Sequence, residues 1–354
     1  MSYTAFHYNF ILILMIFAIN KLKKRDALSI NLKEYRSFIL ALVVILYIGF
    51  RPLSTAFTDM IAYNTIFEGF ANGTMEDGFR GDVLWSEFMR YTSSFMSAPF
   101  FFLTCSILYV FPLYVASKKW VGANAYFLLL MAIGSFSFWA YGVNGIRNGI
   151  ATSMFILGLS FSRNKKILKL LLFLIAFMIH QSVIIPLAAY VITVFVKNPK
   201  YFLLFWLASI PLSLVLGSIS ELFFASLGFG GERVNYLIQG NVNNDSFRYT
   251  GFRWDFLLYS ASGVFSGYYF IIVKKFKDPI YIKLVSIFLI SNSFWILIIR
   301  ANFSNRFAYL SWFLIAFVIF YPFLKSVFLK KQNKLLSIYM LAYFAFTYFM
   351  FLIT

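Results

Sequence analysis

The chain has 354 residues, of which 61% are hydrophobic and 12% are charged, and its formal net charge at pH 7 is +18. Segments of about twenty apolar residues, the length that crosses a bilayer as a helix, recur between short polar breaks. This composition excludes a soluble globular protein and predicts an all-α, polytopic transmembrane helical bundle.

The apolar segments predict about twelve spans in a single membrane domain, residues 1–354. The charges of the first span follow its apolar run, the reverse of a cleavable signal peptide, so we expect its N-terminus outside. Two long polar segments, 51–96 and 220–253, form the outer loops. The predicted spans are 3–20, 37–50, 97–116, 121–141, 148–162, 167–180, 182–196, 201–219, 254–273, 281–299, 307–324 and 335–353.

Lysine and arginine are sorted between alternate loops. All nineteen lysines lie in or beside one set of loops, which the positive-inside rule assigns to the cytoplasm. The other set holds nine arginines and ten of the thirteen acids, so the outer face is close to neutral. The positive charge therefore orients the chain and faces anionic lipid head groups, and no nucleic-acid partner is needed to explain it.

Orientation does not explain why the outer basic residues are all arginine. A guanidinium pairs with two oxygens of a phosphate or carboxylate, so converging arginines would bind a lipid-linked phosphate, a pyrophosphate or an acidic sugar. Alternatively, each arginine pairs with a nearby acid, as Arg253 could with Asp255, or extends to the interface. Five arginines lie at outer ends of predicted spans: Arg51, Arg147, Arg253, Arg300 and Arg306.

His180 lies in the segment FLIAFMIHQSVIIPLAAY, at an outward turn between two short predicted spans. A neutral imidazole there could act as a general base towards a hydroxyl, with Gln181 and Ser182 orienting it or the substrate. The alternative is a histidine hydrogen-bonded to neighbouring backbone. A metal site is not predicted, because His7 is the only other histidine and no carboxylates have ligand spacing.

Asp59 and Tyr63 follow Arg51 in the segment FRPLSTAFTDMIAYNTIF. If residues 58–70 are helical, these two side chains are four apart and share a face. Asp59 is then a second candidate base or hydroxyl-orienting group. Alternatively, Asp59 forms a salt bridge to Arg51 or caps the helix, a role that Thr58 could also take.

Five segments follow one another in a familiar order: GFRPLSTAFTDMIAYNTIF, GIRNGIATSMFILGLSF, AFMIHQSVIIPLAAY, GFRWDFLLY and ANFSNRFAYLSWF. Their order and spacing, over residues 37–325, resemble the EpsG family of polysaccharide-biosynthesis membrane proteins, close to the Wzy-type O-antigen and capsule polymerases. The chain departs from the family pattern at Asn148, where glutamine is more usual, and at Pro52, which replaces a glycine-containing stretch.

The resemblance implies a C-type glycosyltransferase (GT-C-like) architecture in a bacterial inner membrane, with the active site on the outer face. Such a polymerase transfers a growing glycan from undecaprenyl pyrophosphate to the non-reducing end of the next lipid-linked repeat unit. It needs no cofactor, nucleotide sugar or metal. Its partners would be the lipid-linked oligosaccharide, the lipid bilayer and, as a candidate, a chain-length regulator protein.

The predicted site follows from this chemistry. An acceptor hydroxyl needs a base, and a pyrophosphate leaving group needs cations. The predicted catalytic residues are His180, Asp59 and Arg300. The predicted substrate- and pyrophosphate-binding residues are Arg51, Arg147, Arg253, Arg306, Tyr63 and Gln181.

Other classes remain open from the sequence. A flippase for the same lipid-linked unit would suit twelve spans, but it should carry charge at span centres, and here the charges cluster at one face. An O-antigen ligase usually has one large outer loop, and the loops here are moderate. A membrane acyltransferase would use a histidine and an acid at the membrane entrance. A purely structural subunit does not explain nine outer arginines.

Overall fold

The computed structural model describes residues 2–23, 35–76, 78–79, 81–216, 252–300 and 304–353. Within these ranges every regular element is a helix, which confirms the predicted all-α class. The chain divides into two compact units: unit 1 comprises Met1–Val183 and Phe323–Thr354, and unit 2 comprises Ile184–Pro322. The prediction of a single membrane domain over 1–354 stays a prediction. Most of the predicted outer loop 220–253 lies outside the described residues.

Unit 1 is built from helices in the first half of the chain and the helix at its end. They are α1 (Tyr3–Lys23), α2 (Tyr35–Gly49), α3 (Thr58–Ala71), α4 (Val83–Ser93), α5 (Ala98–Val121), α6 (Ala125–Ile133), α7 (Phe136–Val143), α8 (Ile146–Ser160), α9 (Lys166–Ile179) and α16 (Gln332–Ile353).

Unit 2 holds the helices between them. They are α10 (Ile184–Phe195), α11 (Pro199–Leu216), α12 (Trp254–Tyr268, extended by a π-helical turn Tyr269–Val273), α13 (Pro279–Leu297), α14 (Ser304–Trp312) and α15 (Ile315–Lys325), which ends just inside unit 1.

Seven helical segments of the described chain are long and apolar enough to cross a membrane, which supports a membrane protein. The other predicted spans coincide with shorter helices. For example, α8 has 15 residues, so at about 1.5 Å per residue it is shorter than a hydrocarbon core of about 30 Å. The count of twelve spans therefore stays a prediction. The seven are Tyr3–Leu22, Ala98–Ile133, Pro199–Leu216, Trp254–Val273, Pro279–Leu297, Asn305–Lys325 and Gln332–Ile353.

In unit 1, α8 and α9 form an antiparallel hairpin, and α8 also packs against α5. Gly158 permits the close contact, because a Cβ there would lie 2.6 Å from the ring of Phe173. The rings of Phe155 and Phe173 stack with their centroids 5.0 Å apart. Since Arg147 opens α8 and His180 follows α9, the hairpin brings these two residues to the same end.

The opposite end of the hairpin carries lysine. The ammonium groups of Lys119 and Lys165 lie 4.2 Å and 5.9 Å from the centre of the Phe161 ring. Lys325 donates a hydrogen bond of 2.9 Å to the carbonyl of Trp120, in the last turn of α5. The two ends of unit 1 thus differ in charge as the sequence predicts, and the orientation of the chain in a membrane stays a prediction.

Unit 2 has a buried polar network at its centre. The Asn292 side chain on α13 accepts a hydrogen bond of 2.7 Å from the Trp206 indole on α11. The amide nitrogen of Asn292 donates to the hydroxyls of Ser260 and Ser311, on α12 and α14, at 3.1 Å and 2.9 Å. The Trp312 indole also donates to Ser260, at 2.7 Å. Four helices are thereby joined through one side chain.

Candidate functional site

A single carboxylate, that of Asp82, organises the polar end of the α8–α9 hairpin. Its Oδ2 lies 2.8 Å from the Nδ1 of His180 and also accepts a hydrogen bond from the Nη1 of Arg147. Its Oδ1 accepts from the backbone N–H of Gln181 at 3.2 Å. The side chains of Asp82, Arg147 and His180 are 5%, 12% and 20% exposed, so the group is shielded but open to a ligand on the histidine side.

Asp82 is held in place by the start of α4. It occupies the N-cap position of that helix, yet its side chain makes no capping hydrogen bond. An aspartate at an N-cap normally bonds the first free N–H groups of the helix and contributes about 1 kcal/mol. Here the two oxygens instead bond to α8 and to the turn after α9, so α4 has no side-chain cap from Asp82.

The turn that carries His180 is held against the segment before α4. His180 ends α9 in an extended conformation, and a short 3₁₀ turn, Gln181–Val183, follows it. The Gln181 side chain donates a hydrogen bond of 3.0 Å to the carbonyl of Gly81. Gly81 has φ +84°, and a Cβ there would lie 2.6 Å from the Gln181 amide nitrogen. Glycine is therefore required at this contact.

Arg147 is enclosed on several sides. Besides its ion pair with Asp82, its Nε donates a hydrogen bond of 3.2 Å to the Tyr63 hydroxyl. The guanidinium carbon lies 3.9 Å from the centre of the Phe79 ring, a cation–π contact. The guanidinium of Arg147 is therefore already engaged by Asp82, Tyr63 and Phe79.

His180 is oriented for acid–base chemistry. When the imidazole is neutral and its Nδ1–H donates to the Asp82 carboxylate, Nε2 carries the lone pair. Among the residues that the structure describes, none makes a hydrogen bond to Nε2. A neutral imidazole in this state accepts a proton from a ligand hydroxyl, and Asp82 stabilises the imidazolium that results.

Asp82 is ionised at neutral pH. Burial alone raises the pKa of its carboxyl group. The hydrogen bond and charge of His180, the charge of Arg147 and the N–H of Gln181 outweigh this effect and bring the pKa below its ordinary value of 3.8.

A second polar contact lies beside the first on the same two helices. The Ser182 hydroxyl donates a hydrogen bond of 2.6 Å to the side-chain carbonyl of Asn148. Arg147 and Asn148 are consecutive on α8, and His180 and Ser182 belong to one turn. The two segments that resemble family blocks, GIRNG and HQS, are therefore joined directly by Asn148 and Ser182 and indirectly through Asp82.

Four of the nine predicted site residues, Tyr63, Arg147, His180 and Gln181, belong to this cluster. The alternative for His180, a bond to neighbouring backbone only, is wrong, because Asp82 holds its side chain. Asp82 itself was not predicted as a site residue, since it is one of several acids in a loop. The sequence holds one local signal for it, because Asp82 directly precedes an amphipathic helix, α4.

Arg51 has a different environment from the cluster. Its side chain is buried, and its two terminal nitrogens donate to the carbonyls of Ile48 and Val143 at 2.7 Å and 3.2 Å. These carbonyls belong to the last turns of α2 and α7, where a cation is favourable. Among the described residues Arg51 has no carboxylate partner, so the predicted alternative of a salt bridge with Asp59 is wrong. A pyrophosphate-binding role for Arg51 stays a prediction.

Asp59 lies on α3 with Tyr63, as predicted. Its charge acts on the Tyr63 hydroxyl, but within the described chain it makes no hydrogen bond to the cluster. The helix starts at Thr58 and its N-cap position is Phe57, so the predicted capping position is wrong by one residue. Asp59 as a base stays a prediction.

The remaining predicted arginines belong to unit 2. Arg253 pairs with Asp255 through two hydrogen bonds of 2.9 Å and 2.6 Å, which confirms the alternative weighed for it. Arg300 is exposed in the turn after α13, and Arg306 is exposed in the first turn of α14. Convergence of all five arginines stays a prediction, because Arg51 and Arg147 belong to unit 1. In the described chain, no three His, Cys, Asp or Glu side chains form a metal-ligand group.

Apolar helices and a shielded Asp–Arg–His cluster define a helical membrane protein with a polar, ionisable cluster. A sequence model of the EpsG family matches residues 34–354, so the chain belongs to the EpsG family, whose members are Wzy-like polymerases. Membership indicates a membrane polysaccharide polymerase-like function. Comparisons with curated proteins and with solved structures gave no significant match.

Proposed function

We propose that the protein is a GT-C-like glycosyltransferase that polymerises a bacterial surface polysaccharide, an O-antigen or a capsule. It would transfer a growing glycan from undecaprenyl pyrophosphate to the non-reducing end of a lipid-linked repeat unit, on the outer face of the inner membrane. The family match supports the reaction class. The observation that supports the mechanism is the His180–Asp82 hydrogen bond, which would leave Nε2 of a neutral histidine to act as the base.

In the proposed step, Nε2 of His180 takes the proton of an acceptor sugar hydroxyl. The hydroxyl oxygen attacks the anomeric carbon of the donor glycan, and a new glycosidic C–O bond forms. The C–O bond to the pyrophosphate breaks, and its electron pair leaves on undecaprenyl pyrophosphate. The imidazolium then returns its proton to water, which restores the base.

The leaving pyrophosphate gains negative charge as the bond breaks, and fixed cations stabilise that charge. We assign this role to Arg300 and Arg306, two exposed arginines in the chain's last arginine motif. Arginine is suited to it because its fork pairs with two phosphate oxygens at once. A cation supplied by the protein would make a metal or nucleotide unnecessary for this step.

The test is a gel of lipid-linked and surface polysaccharide from cells with and without the gene, complemented by wild type, His180→Ala or Arg300→Ala. We expect loss of the gene to reduce the ladder to a single repeat unit, and both variants to leave it reduced while the protein still inserts. Normal chain lengths with both variants would refute the assigned roles.

The same gel separates the competing functions. Loss of even the single-unit band, with lipid-linked units retained on the cytoplasmic side, would identify a flippase. A normal lipid-linked ladder that fails to reach the surface carrier would identify a ligase. A normal ladder lacking an acyl modification would identify an acyltransferase, which could use the same His–Asp pair to activate a hydroxyl.

A further inference from the structure

The charges of the Asp82 cluster cancel. Asp82 is ionised and paired with Arg147, and in the proposed step His180 is neutral before it takes the proton of the acceptor. Arg147 is further engaged by the Tyr63 hydroxyl and by the Phe79 ring. A ligand that approaches the cluster therefore meets no uncompensated positive charge from these three residues.

Among the described residues of this end of the hairpin, the groups that remain open to a ligand are neutral. They are Nε2 of His180, the exposed side chain of Gln181, and the partly exposed pair of Asn148 and Ser182. Amides and hydroxyls of this kind offer single hydrogen bonds, which suit the hydroxyl groups of a sugar. They do not offset the charge of a pyrophosphate, and Arg147 could pair with one only by leaving Asp82 as a shielded carboxylate without its cation.

We infer that the Asp82–Arg147–His180 cluster is the acceptor subsite of the proposed transferase. It binds an uncharged, hydroxyl-bearing sugar and removes the proton of the hydroxyl that attacks. Arg147 acts through Asp82 as a positioning residue, and it is not a ligand of the pyrophosphate. This inference rests on the proposed function and specifies which substrate this part of the protein serves.

The geometry gives Arg147 a definite task. It shares Oδ2 of Asp82 with His180, while Gln181 holds Oδ1, so the carboxylate cannot rotate without breaking a bond on either oxygen. The fixed, ionised carboxylate accepts only from a nitrogen that carries hydrogen, and it thereby selects the Nδ1–H tautomer. Removal of Arg147 or loss of the Asp82 charge should therefore damage the same function.

A double-mutant cycle tests this dependence. Asp82→Asn, Arg147→Met and the double variant are purified in detergent, and their rates of polymerisation of lipid-linked repeat units are compared with wild type. We expect each single change to lower the rate by about 10²–10³-fold, within the range for loss of general-base catalysis. When Asp82 is already asparagine, we expect Arg147→Met to lower the polymerisation rate by less than a further factor of about three.

If the losses multiply, so that the double variant is about 10⁴–10⁶-fold slower than wild type, Arg147 has a role independent of Asp82 and the inference is wrong. The single variant Arg147→Met leaves a shielded carboxylate without its cation, and it could fail to fold. The comparison of Asp82→Asn with the double variant does not require a folded Arg147→Met protein, because both of the compared variants lack the charge of Asp82. Thermal unfolding of each protein confirms that folded molecules are compared.

A binding measurement separates the acceptor from the donor subsite. Farnesyl pyrophosphate, a short prenyl pyrophosphate, is titrated into purified wild type and into the double variant. We expect the double variant to bind it with a Kd within about threefold of wild type, since neither side chain would contact the pyrophosphate. A tenfold or larger loss would place the pyrophosphate at this cluster and overturn the acceptor assignment.

The two levels of the proposal fail differently. A wild-type protein that neither binds the prenyl pyrophosphate nor extends lipid-linked units would refute the polymerase function, and the acceptor subsite with it. A wild-type protein that does both, combined with a double variant that loses prenyl pyrophosphate binding, would refute the acceptor subsite alone.

Discussion

Two polar clusters in the described part of the chain, one in each unit, are built on opposite principles. The Asn292 network of unit 2 consists of neutral side chains with no solvent exposure at Asn292, Ser260 and Ser311. The Asp82 cluster of unit 1 consists of charged or ionisable side chains, of which His180 is one-fifth exposed. Both join several helices, so helix packing alone does not distinguish them.

The difference lies in what remains after the internal hydrogen bonds are made. In the Asn292 network, the amide oxygen receives the Trp206 indole and the amide nitrogen serves two hydroxyls. Such a closed network fixes helix packing. In the Asp82 cluster both carboxylate oxygens have partners, but the imidazole bonded to Asp82 keeps one nitrogen that the described residues do not occupy. A polar group that is held rigidly and keeps one hydrogen-bonding position available is suited to act on a ligand.

The comparison predicts its largest effect at His180. His180→Ala should lower the rate of polymerisation by about 10²–10⁴-fold, because the reaction loses its general base. The unfolding temperature in detergent should fall modestly, since Asp82 loses one hydrogen bond but keeps those from Arg147 and Gln181. The polymerisation rate and the thermal unfolding of the same preparation show whether activity is lost in a folded protein. An active His180→Ala protein would make the cluster structural, like its counterpart in unit 2.

Arg51 sharpens the comparison because it is charged but, by its contacts, belongs with the structural groups. Arg51→Met removes two hydrogen bonds from a cation to the ends of α2 and α7 and should cost about 2–3 kcal/mol of stability. Thermal unfolding measures the loss, and Arg90→Met, at an exposed surface ion pair, is the control that should change little. A stable but inactive Arg51→Met protein would instead support the predicted role in pyrophosphate binding.

Asn292 should show the reverse pattern from His180. Asn292→Leu leaves the Trp206 indole without its acceptor and removes one donor from each of two buried hydroxyls, which should cost about 1–3 kcal/mol. Activity per folded molecule should stay within about twofold. Thermal unfolding and rate are compared with Asn20→Leu, a change at an exposed position of α1. If Asn292→Leu is as stable as this control but inactive, the network in unit 2 takes part in function.

Two glycines provide a matched test of the turn that carries His180. Gly81 and Gly73 both have positive φ, +84° and +67°, so alanine strains the backbone at either position by about 1 kcal/mol or more. A Cβ at Gly81 would strike Gln181, whereas none of the described atoms lies within 4 Å at Gly73. We therefore expect Gly81→Ala to lower the polymerisation rate about tenfold and Gly73→Ala to leave it unchanged. Equal rates would show that the Gly81–Gln181 contact does not position His180.

Much of this organisation was predictable from the sequence, and the reason is local. Apolar runs and charge sorting are properties of neighbouring residues, so each predicted span overlaps a helix of the described chain. The pairing of Arg147 with the His180 turn follows from an antiparallel hairpin whose helices are of similar length. These features required no knowledge of distant contacts.

Asp82 and Arg51 show where sequence reasoning fails. Asp82 is 98 residues from His180 along the chain, and no periodicity relates a loop acid to a turn on another helix. Arg51 resembles the other outer arginines in sequence, but its guanidinium reaches the carbonyl of Val143, 92 residues away. Arg51 and the other outer arginines carry the same charge and have the same predicted depth in the membrane. Only the partner atoms separate them.

The smallest predicted effect is the response of stability to acid. The pKa of Asp82 is lower in the folded protein than its ordinary value of 3.8, so the ionised carboxylate stabilises the fold at higher pH. This stabilisation is complete above the unfolded pKa and is lost as pH falls through the folded value. We therefore expect the unfolding temperature of wild type to fall more steeply below about pH 4 than that of Asp82→Asn, which has no carboxyl group to protonate there. Parallel curves would mean that the bonds from His180 and Arg147 do not favour the ionised carboxylate. In that case Asp82 would lose the property by which it holds the imidazole as a base.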